Sequence, residues 1–260
     1  MAAARGKPAS TPAVRPGRIV AKGEGAALSA DAIVDAALEL TEREGAGALT
    51  VRRLGSELGV DATAFYRHFR DKDELVLAVS DRIIAMTLDV VVESDDWRET
   101  LRSITSAAYV INLRYPAVTS ITFARITGGR AERAIVEKIL ATISRAGLSP
   151  AETALYYRAI VDAMLSLSGQ AAAVANLEPA VRAKDESAWT QIYGLLSQSD
   201  YPITGAHAKE LAALSEQDVF ETIIEAVIEA IAARAAATSP QPAARKSRAK
   251  QSSRREEELN

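Results

Sequence analysis

Apolar residues recur at intervals of three and four along almost the whole of residues 29–236, which is the period of an amphipathic α-helix. The first series comprises Ile33, Ala36 and Leu40. Gly45 then ends it, as glycine commonly ends helices. Signals for β-hairpins are missing, since no Asn-Gly or Asp-Gly pair joins two alternating apolar runs. The sequence therefore predicts an all-α fold.

The composition excludes several kinds of functional site. The 260 residues include no cysteine and two histidines, His68 and His207, which excludes disulfide scaffolds, cysteine nucleophiles and zinc fingers. A Ser-His-Asp order, a phosphate loop and a glycine-rich dinucleotide turn are also missing, so we expect no enzyme, no cofactor and no metal. No apolar run reaches the roughly 20 residues of a membrane span. The early charges lead into no signal peptide, so we expect a cytoplasmic protein without a membrane partner.

Composition also divides the chain into four predicted segments. Residues 1–28 form a basic arm rich in Ala, Gly and Pro, and residues 237–260 form a Pro- and charge-rich tail. Both are predicted to be disordered because neither has an apolar period. Between them we expect a small three-helix domain over 29–77 and a larger helical domain over 78–236. A helix from Asp71 to about Glu93 links the two, and the longer helices are predicted at 96–114, 116–127, 129–146, 150–177, 186–197 and 215–236.

The segment Thr50 to Phe69 contains two short helices joined by a tight turn at Gly59-Val60. Gly59 supplies a backbone conformation that is costly for other residues, and Gly55 permits close approach of the two helices. This pattern is typical of a helix-turn-helix, whose second helix lies in the major groove of DNA. Charge supports DNA binding only locally, because residues 50–72 carry five basic and three acidic side chains while the chain has a net charge of −3. The DNA-facing surface is therefore expected to be a narrow stripe.

Residues 29–77 resemble the DNA-binding domain of the TetR family of tetracycline-repressor-like regulators. The groups that carry the resemblance are Ala36-Ala37-Leu38, Leu49-Thr50-Val51-Arg52, Leu58-Gly59-Val60, Phe65-Tyr66-Arg67-His68-Phe69 and Lys72-Asp73-Glu74-Leu75. Tyr201-Pro202 and Asp218-Val219-Phe220 resemble the carboxyl-terminal region of the tetracycline-repressor branch. The chain departs from the family at Gly55, where alanine is usual, and at Asp61-Ala62, where many members have serine and a polar residue.

The resemblance implies a role for each position of this segment. Thr50, Tyr66 and Lys72 correspond to phosphate contacts, and Arg52 corresponds to a position that reaches a base edge. Small side chains at the start of the recognition helix would meet thymine methyl groups. Solvation or local capping is the alternative for the other charged candidates. The predicted DNA-contacting residues are Thr50, Arg52, Arg53, Ala62, Thr63, Ala64, Tyr66, Arg67, His68 and Lys72.

By the same resemblance, the larger domain binds a small molecule and pairs with a second copy of the chain. Aromatic residues and polar groups on apolar helices mark the candidate ligand site, which comprises Tyr109, Asn112, Phe123, Met164 and Gln170. The last helix has a wide apolar stripe, and the helix from Pro150 has apolar residues on more than one side. We predict that these two helices form a four-helix bundle with the partner, with packing inside one protomer as the alternative. The predicted interface residues are Ala163, Leu167, Phe220, Ile223, Ile224, Val227 and Ile231.

These expectations describe a ligand-responsive transcriptional regulator, most often a repressor. A homodimer would place two recognition helices in successive major grooves of a near-palindromic operator, and a small-molecule effector would release it. An activator or a regulator controlled by a protein partner is the alternative within the same class. A helical enzyme or small-molecule carrier without a DNA role is the alternative in another class. The missing catalytic patterns, with Tyr66 and Lys72 on the surface, argue against it.

Overall fold

The structure is a computed structural model that describes residues 28–197 and 199–238. Within those ranges it contains eleven α-helices, two short 3-10 turns and no β-strand, which confirms the all-α prediction. Residues 237 and 238 belong to the last helix. The rest of the predicted tail and residues 1–27 of the predicted arm lie outside the described residues.

The helices are, in chain order, α1 (Ala30–Glu44), α2 (Val51–Leu58), α3 (Ala62–Phe65), α4 (Lys72–Val90), α5 (Trp97–Arg114), α6 (Pro116–Thr122), α7 (Arg130–Ser144), α8 (Pro150–Ala175), α9 (Pro179–Gln191), α10 (Pro202–Ala213) and α11 (Glu216–Thr238). The 3-10 turns are Ala46–Ala48 and Tyr193–Leu195. Because α4 runs without a break through residue 77, the division between 29–77 and 78–236 stays a prediction.

Local capping fixes the amino-terminal ends of the first four helices. The Ser29 hydroxyl accepts a hydrogen bond from Ala32 N at 3.1 Å, and the Asp71 carboxylate accepts one from Glu74 N at 2.8 Å. Thr50 caps α2 in the same way. Each cap satisfies a backbone donor that the helix itself leaves without a partner. The helix starts predicted from these residues are therefore confirmed.

Helices α1 to α4 enclose the first of two hydrophobic cores. Ile33, Leu40, Leu54 and Leu75 are each at most 1% exposed there. Val118 of α6 joins the same core, so the small amino-terminal helices pack directly against the longer ones. This arrangement anchors the helix-turn-helix segment on its inner side and leaves its outer side to solvent.

The second core lies among α5, α7, α8 and α11. The rings of Tyr109 and Phe220 stack at its centre with 4.0 Å between their centroids. Phe220, Ile224 and Ile231 are at most 4% exposed within a single protomer. The prediction that these three side chains form the dimer interface is therefore wrong. Their stripe is covered by the protomer's own helices, which is the alternative that the sequence left open.

The segment between α8 and α11 differs most from the predicted helix boundaries. Helix α9 begins at Pro179 rather than near residue 186, and α10 was not predicted. No side chain of α9 is buried, and Ala208 is the buried residue of α10. A helix that buries no continuous face in the protomer needs no regular series of apolar residues. The sequences of α9 and α10 therefore lack the apolar period from which a helix is predicted.

A prediction about pH follows from the contact between α8 and α11. The Glu152 carboxylate accepts hydrogen bonds from the Ser149 hydroxyl at 2.6 Å and from Arg234 Nε at 2.5 Å, and these bonds lower its pKa to about 2. A lowered folded-state pKa stabilises the fold above the unfolded pKa, and this stability is lost as the pH falls from about 4.5 towards 2. Glu152→Gln is therefore expected to show a smaller drop in melting temperature than the parent over this pH range. Glu210→Gln is the control and should behave as the parent, because the Glu210 side chain is exposed and has no hydrogen bond to the described residues. Equal drops in the melting temperature of all three proteins would contradict the assignment.

Candidate nucleic-acid interface and cavity

The turn between α2 and α3 is closed by two glycines. Gly59 adopts a left-handed conformation with φ of 67° and ψ of 31°, which favours glycine. Val60 N donates to Gly55 O at 2.9 Å, and a Cβ placed on Gly55 would lie 2.9 Å from Val60 O. The glycine that departs from the family pattern thus permits a close approach of the turn to α2. The two helices are held in a fixed relative orientation.

The inner face of the α3 segment is anchored by aromatic side chains. Phe65 and Phe69 are 4% and 5% exposed, with ring centroids 5.5 Å apart. The regular helix is only four residues long, and backbone hydrogen bonds to Phe65 O continue the turn to Phe69. Asp61 accepts a hydrogen bond from Thr63 N at 2.8 Å, and the hydrogen bonds from Thr63 lower the pKa of Asp61. The position of α3 is therefore fixed by the cap at Asp61 before it and by the buried rings of Phe65 and Phe69 at its end.

The outer face of this segment carries side chains that are available to a ligand. Arg52, Arg67 and Lys72 are exposed and form no hydrogen bond or ion pair with the described residues. Tyr66 is 58% exposed, and its ring lies nearly perpendicular to the ring of Phe65, with 5.2 Å between the centroids. Such an arrangement of cations and a hydroxyl is suited to the phosphates and base edges of DNA.

The other predicted contacts are less open. Thr63 is exposed, whereas Ala64 and His68 are half-buried, and the side chain of Ala62 lies outside what the structure describes. The Thr50 hydroxyl already accepts a hydrogen bond from Arg53 N at 3.1 Å. A hydroxyl in this position can still donate to a phosphate, because the cap uses it only as an acceptor.

Arg53 is the exception among the predicted DNA contacts. Its guanidinium lies 2.5 Å from a Glu44 carboxylate oxygen and 2.9 Å from a Glu57 oxygen, and Arg43 also pairs with Glu57 at 2.8 Å. Hydrogen bonds from these arginines lower the pKa of both glutamates. Arg53 therefore joins α1 to α2, and the structure assigns it to the support of the helix-turn-helix rather than to its outer face.

A cavity of about 100 Å³ lies among α4, α5, α6, α7 and α8. Asn112, Phe123 and Met164, three of the five predicted ligand residues, line it. Tyr109 is part of the second core and Gln170 is exposed, and neither lines this cavity; their role in ligand binding stays a prediction. The remaining walls are mainly aliphatic, and the residues that supply them are Ile83, Ile84, Ala108, Ile135, Val136, Ile139, Val161 and Leu165.

The segment after α6 forms the mouth of this cavity. Phe123 and Arg125 line both the cavity and an open groove of about 880 Å³ beside α7 and α8. The Phe123 ring lies against Gly169, where an added Cβ would come within 2.4 Å of it. Glycine at this position of α8 thus makes room for the ring that borders the entrance.

Helix α4 connects the mouth of the cavity to the helix-turn-helix. Its Asp73 carboxylate accepts two hydrogen bonds from the Arg125 guanidinium, at 3.0 and 2.8 Å, and these lower the pKa of Asp73. Arg82 pairs with Asp35 of α1 at 2.6 Å. The same helix is therefore bonded to the cavity mouth on one side and to α1 on the other.

Asp81 of α4 also caps α7, whose own N-cap residue is a glycine. Its carboxylate accepts hydrogen bonds from Ala131 N at 3.1 Å, Glu132 N at 2.9 Å and the Thr127 hydroxyl at 3.1 Å. Asp81→Ala is expected to lower the free energy of unfolding by about 1 kcal/mol, the usual loss for a helix cap. Urea unfolding measures this, with Asp89→Ala, at an exposed position of α4, as the control. Equal unfolding free energies for the two variants would show that the cap contributes nothing.

Sequence reasoning missed Asp73 and Asp81. Their partners lie about 50 residues further along the chain, and no local pattern relates the two segments. The Asp73 position was noticed only as part of the family-like run that begins at Lys72.

Comparison with protein families assigns both parts of the chain. Residues 33–79 match the model described as bacterial regulatory proteins, tetR family. Residues 92–235, more than half of the chain, match the model of the tetracyclin repressor-like C-terminal domain. The chain belongs to the TetR family. The resemblance seen in the helix-turn-helix segment is thereby confirmed, and it extends over the larger domain.

Individual TetR-family relatives agree with this assignment. The HTH-type transcriptional repressor Rv1353c of Mycobacterium tuberculosis is 29% identical over 139 residues, which are 51% of this chain and 53% of the relative. The tetracycline repressor protein class A of Escherichia coli is 38% identical over 76 residues, covering 28% of this chain and 35% of the relative. The chain spans about half the length of curated relatives such as Rv1353c.

Solved structures share the TetR fold. ActR of Streptomyces coelicolor, without ligand, has a TM-score of 0.71 and 21% identity, and the match covers 81% of this chain and 98% of ActR. A structure of ActR with actinorhodin gives the same TM-score. Members of the TetR family are transcriptional regulators and not enzymes.

The described part of this TetR-family chain contains no group of three or more acidic or histidine side chains placed to hold a metal ion. None of the described helices is by itself long and apolar enough to cross a membrane. The segments Pro150–Ala175 and Pro179–Leu195 are long and apolar enough only when they are counted together, and the chain bends by 116° between them.

Four of the predicted dimer residues remain accessible on the TetR-family protomer. Ile223 is 36% exposed, and Val227 lies half-buried on the same helix. Ala163 and Leu167 are half-buried on α8. For these four side chains of α8 and α11, the dimer interface stays a prediction.

Proposed function

We propose that this TetR-family chain is a DNA-binding transcriptional repressor that a small molecule releases from its operator. The observation that carries the proposal is the helix-turn-helix itself. Its inner face is fixed by Phe65 and Phe69, while Arg52 and Lys72 extend from its outer face without a side-chain hydrogen bond or ion pair to the described residues. Tyr66, which is 58% exposed, lies on the same outer face. Repressors among the relatives, such as Rv1353c, support the direction of regulation. Such a regulator acts in the cytoplasm, where the bacterial chromosome lies.

The proposed operator is near-palindromic because the proposed binding unit is a homodimer. Two recognition helices related by a twofold axis fit half-sites about 34–36 Å apart. The accessible side chains of α8 and α11 are the proposed contact between the copies, and Ile223 is the most exposed of them. An interface of this kind repeats the same surface on both subunits.

The proposed effector site is the cavity among α4 to α8. Its walls are mostly aliphatic and carry a few polar groups, among them Asn112 and Tyr157, which is the usual composition of a small-molecule site. ActR provides a precedent in this fold, since its structure has been determined with actinorhodin. The effector must prefer the conformation that does not bind DNA, because equal affinity for both conformations would release nothing.

Fluorescence anisotropy with two labelled duplexes tests the DNA-binding proposal. One duplex carries the segment upstream of the chain's own gene, and the other carries the same bases in shuffled order. We expect the upstream duplex to bind at least about a thousandfold more tightly, with affinity that falls steeply as salt is added. Equal affinity for both duplexes, or binding that salt does not change, would refute the proposed function. Transcription in vitro from the same segment then separates repression from activation.

A further inference from the structure

The charged groups at the cavity identify one cation that a ligand can reach. Arg125 and Glu132 are the charged side chains that line the cavity within the described residues. Glu132 Oε2 already accepts a hydrogen bond from Gly128 N at 2.6 Å. Glu132 is therefore held by the segment that precedes α7, and Arg125 is the group at the mouth with which an anion can pair.

The present partner of Arg125 is easy to replace. The side chains of Arg125 and Asp73 are 42% and 59% exposed, and ion pairs at such surface positions are weak because water screens them. An anionic group held at the cavity mouth would meet the same guanidinium with less water around it, where charge-assisted hydrogen bonds are stronger. A ligand with one negative charge can therefore compete with Asp73 for Arg125.

Loss of this ion pair has a direct effect on the DNA-facing surface. Asp73 follows Lys72 in the first turn of α4, and the Arg125 guanidinium balances its charge there. Without Arg125, the unbalanced Asp73 carboxylate lies beside Lys72, which is proposed to contact a DNA phosphate. The negative carboxylate then repels the negative phosphate. The bond between the cavity mouth and the beginning of α4 is lost at the same time.

We propose that the effector is a mostly apolar, ring-containing molecule with one anionic group, and that this group takes Arg125 from Asp73. The ring is inferred from Phe123 and Tyr157, which line the cavity and offer aromatic faces. Phe123 also borders the open groove, so its ring can move outward to admit a ligand larger than the closed cavity. The proposal rests on the proposed function, because it names the effector of that regulator.

Two matched fluorescent probes, 2-naphthoate and 2-naphthalenemethanol, test the proposal without DNA. We expect the parent to bind the carboxylate at least about tenfold more tightly than the alcohol, as a hydrogen bond to a charged group implies. Arg125→Gln should abolish this preference, and Asp73→Asn should increase it by removing the competitor. Arg133→Gln, which changes a cation of the groove that does not line the cavity, should leave the preference intact.

Three results would overturn the proposal: equal or tighter binding of the alcohol by the parent, an unchanged preference in Arg125→Gln, or no binding of either probe at millimolar concentration. A second titration adds 2-naphthoate to the complex with the upstream duplex. We expect release from the parent and weaker release from Asp73→Asn, in which no carboxylate is uncovered. Because the probe titrations contain no DNA, a chain that fails to bind DNA refutes the proposed function and leaves the probe result unaffected.

Discussion

Phe220→Ala is expected to lower the free energy of unfolding by about 3–5 kcal/mol, the range found when a large aromatic side chain is removed from a core. The ring is 1% exposed and stacks on Tyr109 with 4.0 Å between centroids. Its removal leaves a cavity that neighbouring helices cannot fill, because α5, α8 and α11 are held by the other members of the same core.

Urea unfolding of Phe220→Ala and of its neighbour Val219→Ala measures this loss. Val219 is 36% exposed, so its truncation should change the free energy of unfolding by less than about 0.5 kcal/mol. The experiment also separates the two roles that the sequence allowed for Phe220. A core residue lowers stability at every protein concentration, whereas an interface residue would leave a stable monomer and change only the concentration dependence. A stable, monomeric Phe220→Ala protein would contradict the structure.

Arg52→Ala is expected to weaken binding to the upstream duplex by about 1–3 kcal/mol, the range for an arginine that reads a base edge, which is a loss of roughly fivefold to more than a hundredfold. Arg52 is exposed and forms no hydrogen bond or ion pair with the described residues. Its loss should therefore leave the melting temperature unchanged, since no contact within the protein is removed.

The adjacent Arg53 provides the matched control for this measurement. Arg53 is bonded to Glu44 and Glu57, so Arg53→Ala should lower the melting temperature and affect DNA only through the position of α2. Anisotropy titrations and thermal unfolding of both variants give the comparison. A larger loss of DNA affinity in Arg53→Ala than in Arg52→Ala would reverse the assignment of the two arginines.

The sequence predicted features that depend on neighbouring residues. Ser29, Thr50 and Asp61 act as caps because a short polar side chain reaches a backbone N–H two or three residues ahead, and this relation is visible in the sequence. Gly59 ends α2 in the left-handed conformation for a similarly local reason. The helix-turn-helix was therefore predictable in detail.

The features that the sequence did not predict depend on distant parts of the chain. The apolar period of α11 shows which face is buried, but the same period arises whether α5 or a second copy covers it. Phe220 was consequently assigned to the wrong contact. The pairs of Arg125 with Asp73 and of Asp81 with the start of α7 join segments about 50 residues apart, which only the fold brings together.

The salt dependence of DNA binding by Lys72→Ala tests the central claim most directly, namely that the exposed side chains around α3 and the start of α4 hold the phosphates of DNA. Lys209→Ala, which removes an exposed lysine of α10, is the matched control. The affinity for the upstream duplex is measured by anisotropy over a series of salt concentrations. We predict that Lys72→Ala makes the negative slope of log affinity against log salt less steep by about one, while Lys209→Ala keeps the slope of the parent. An unchanged slope in Lys72→Ala would contradict the account.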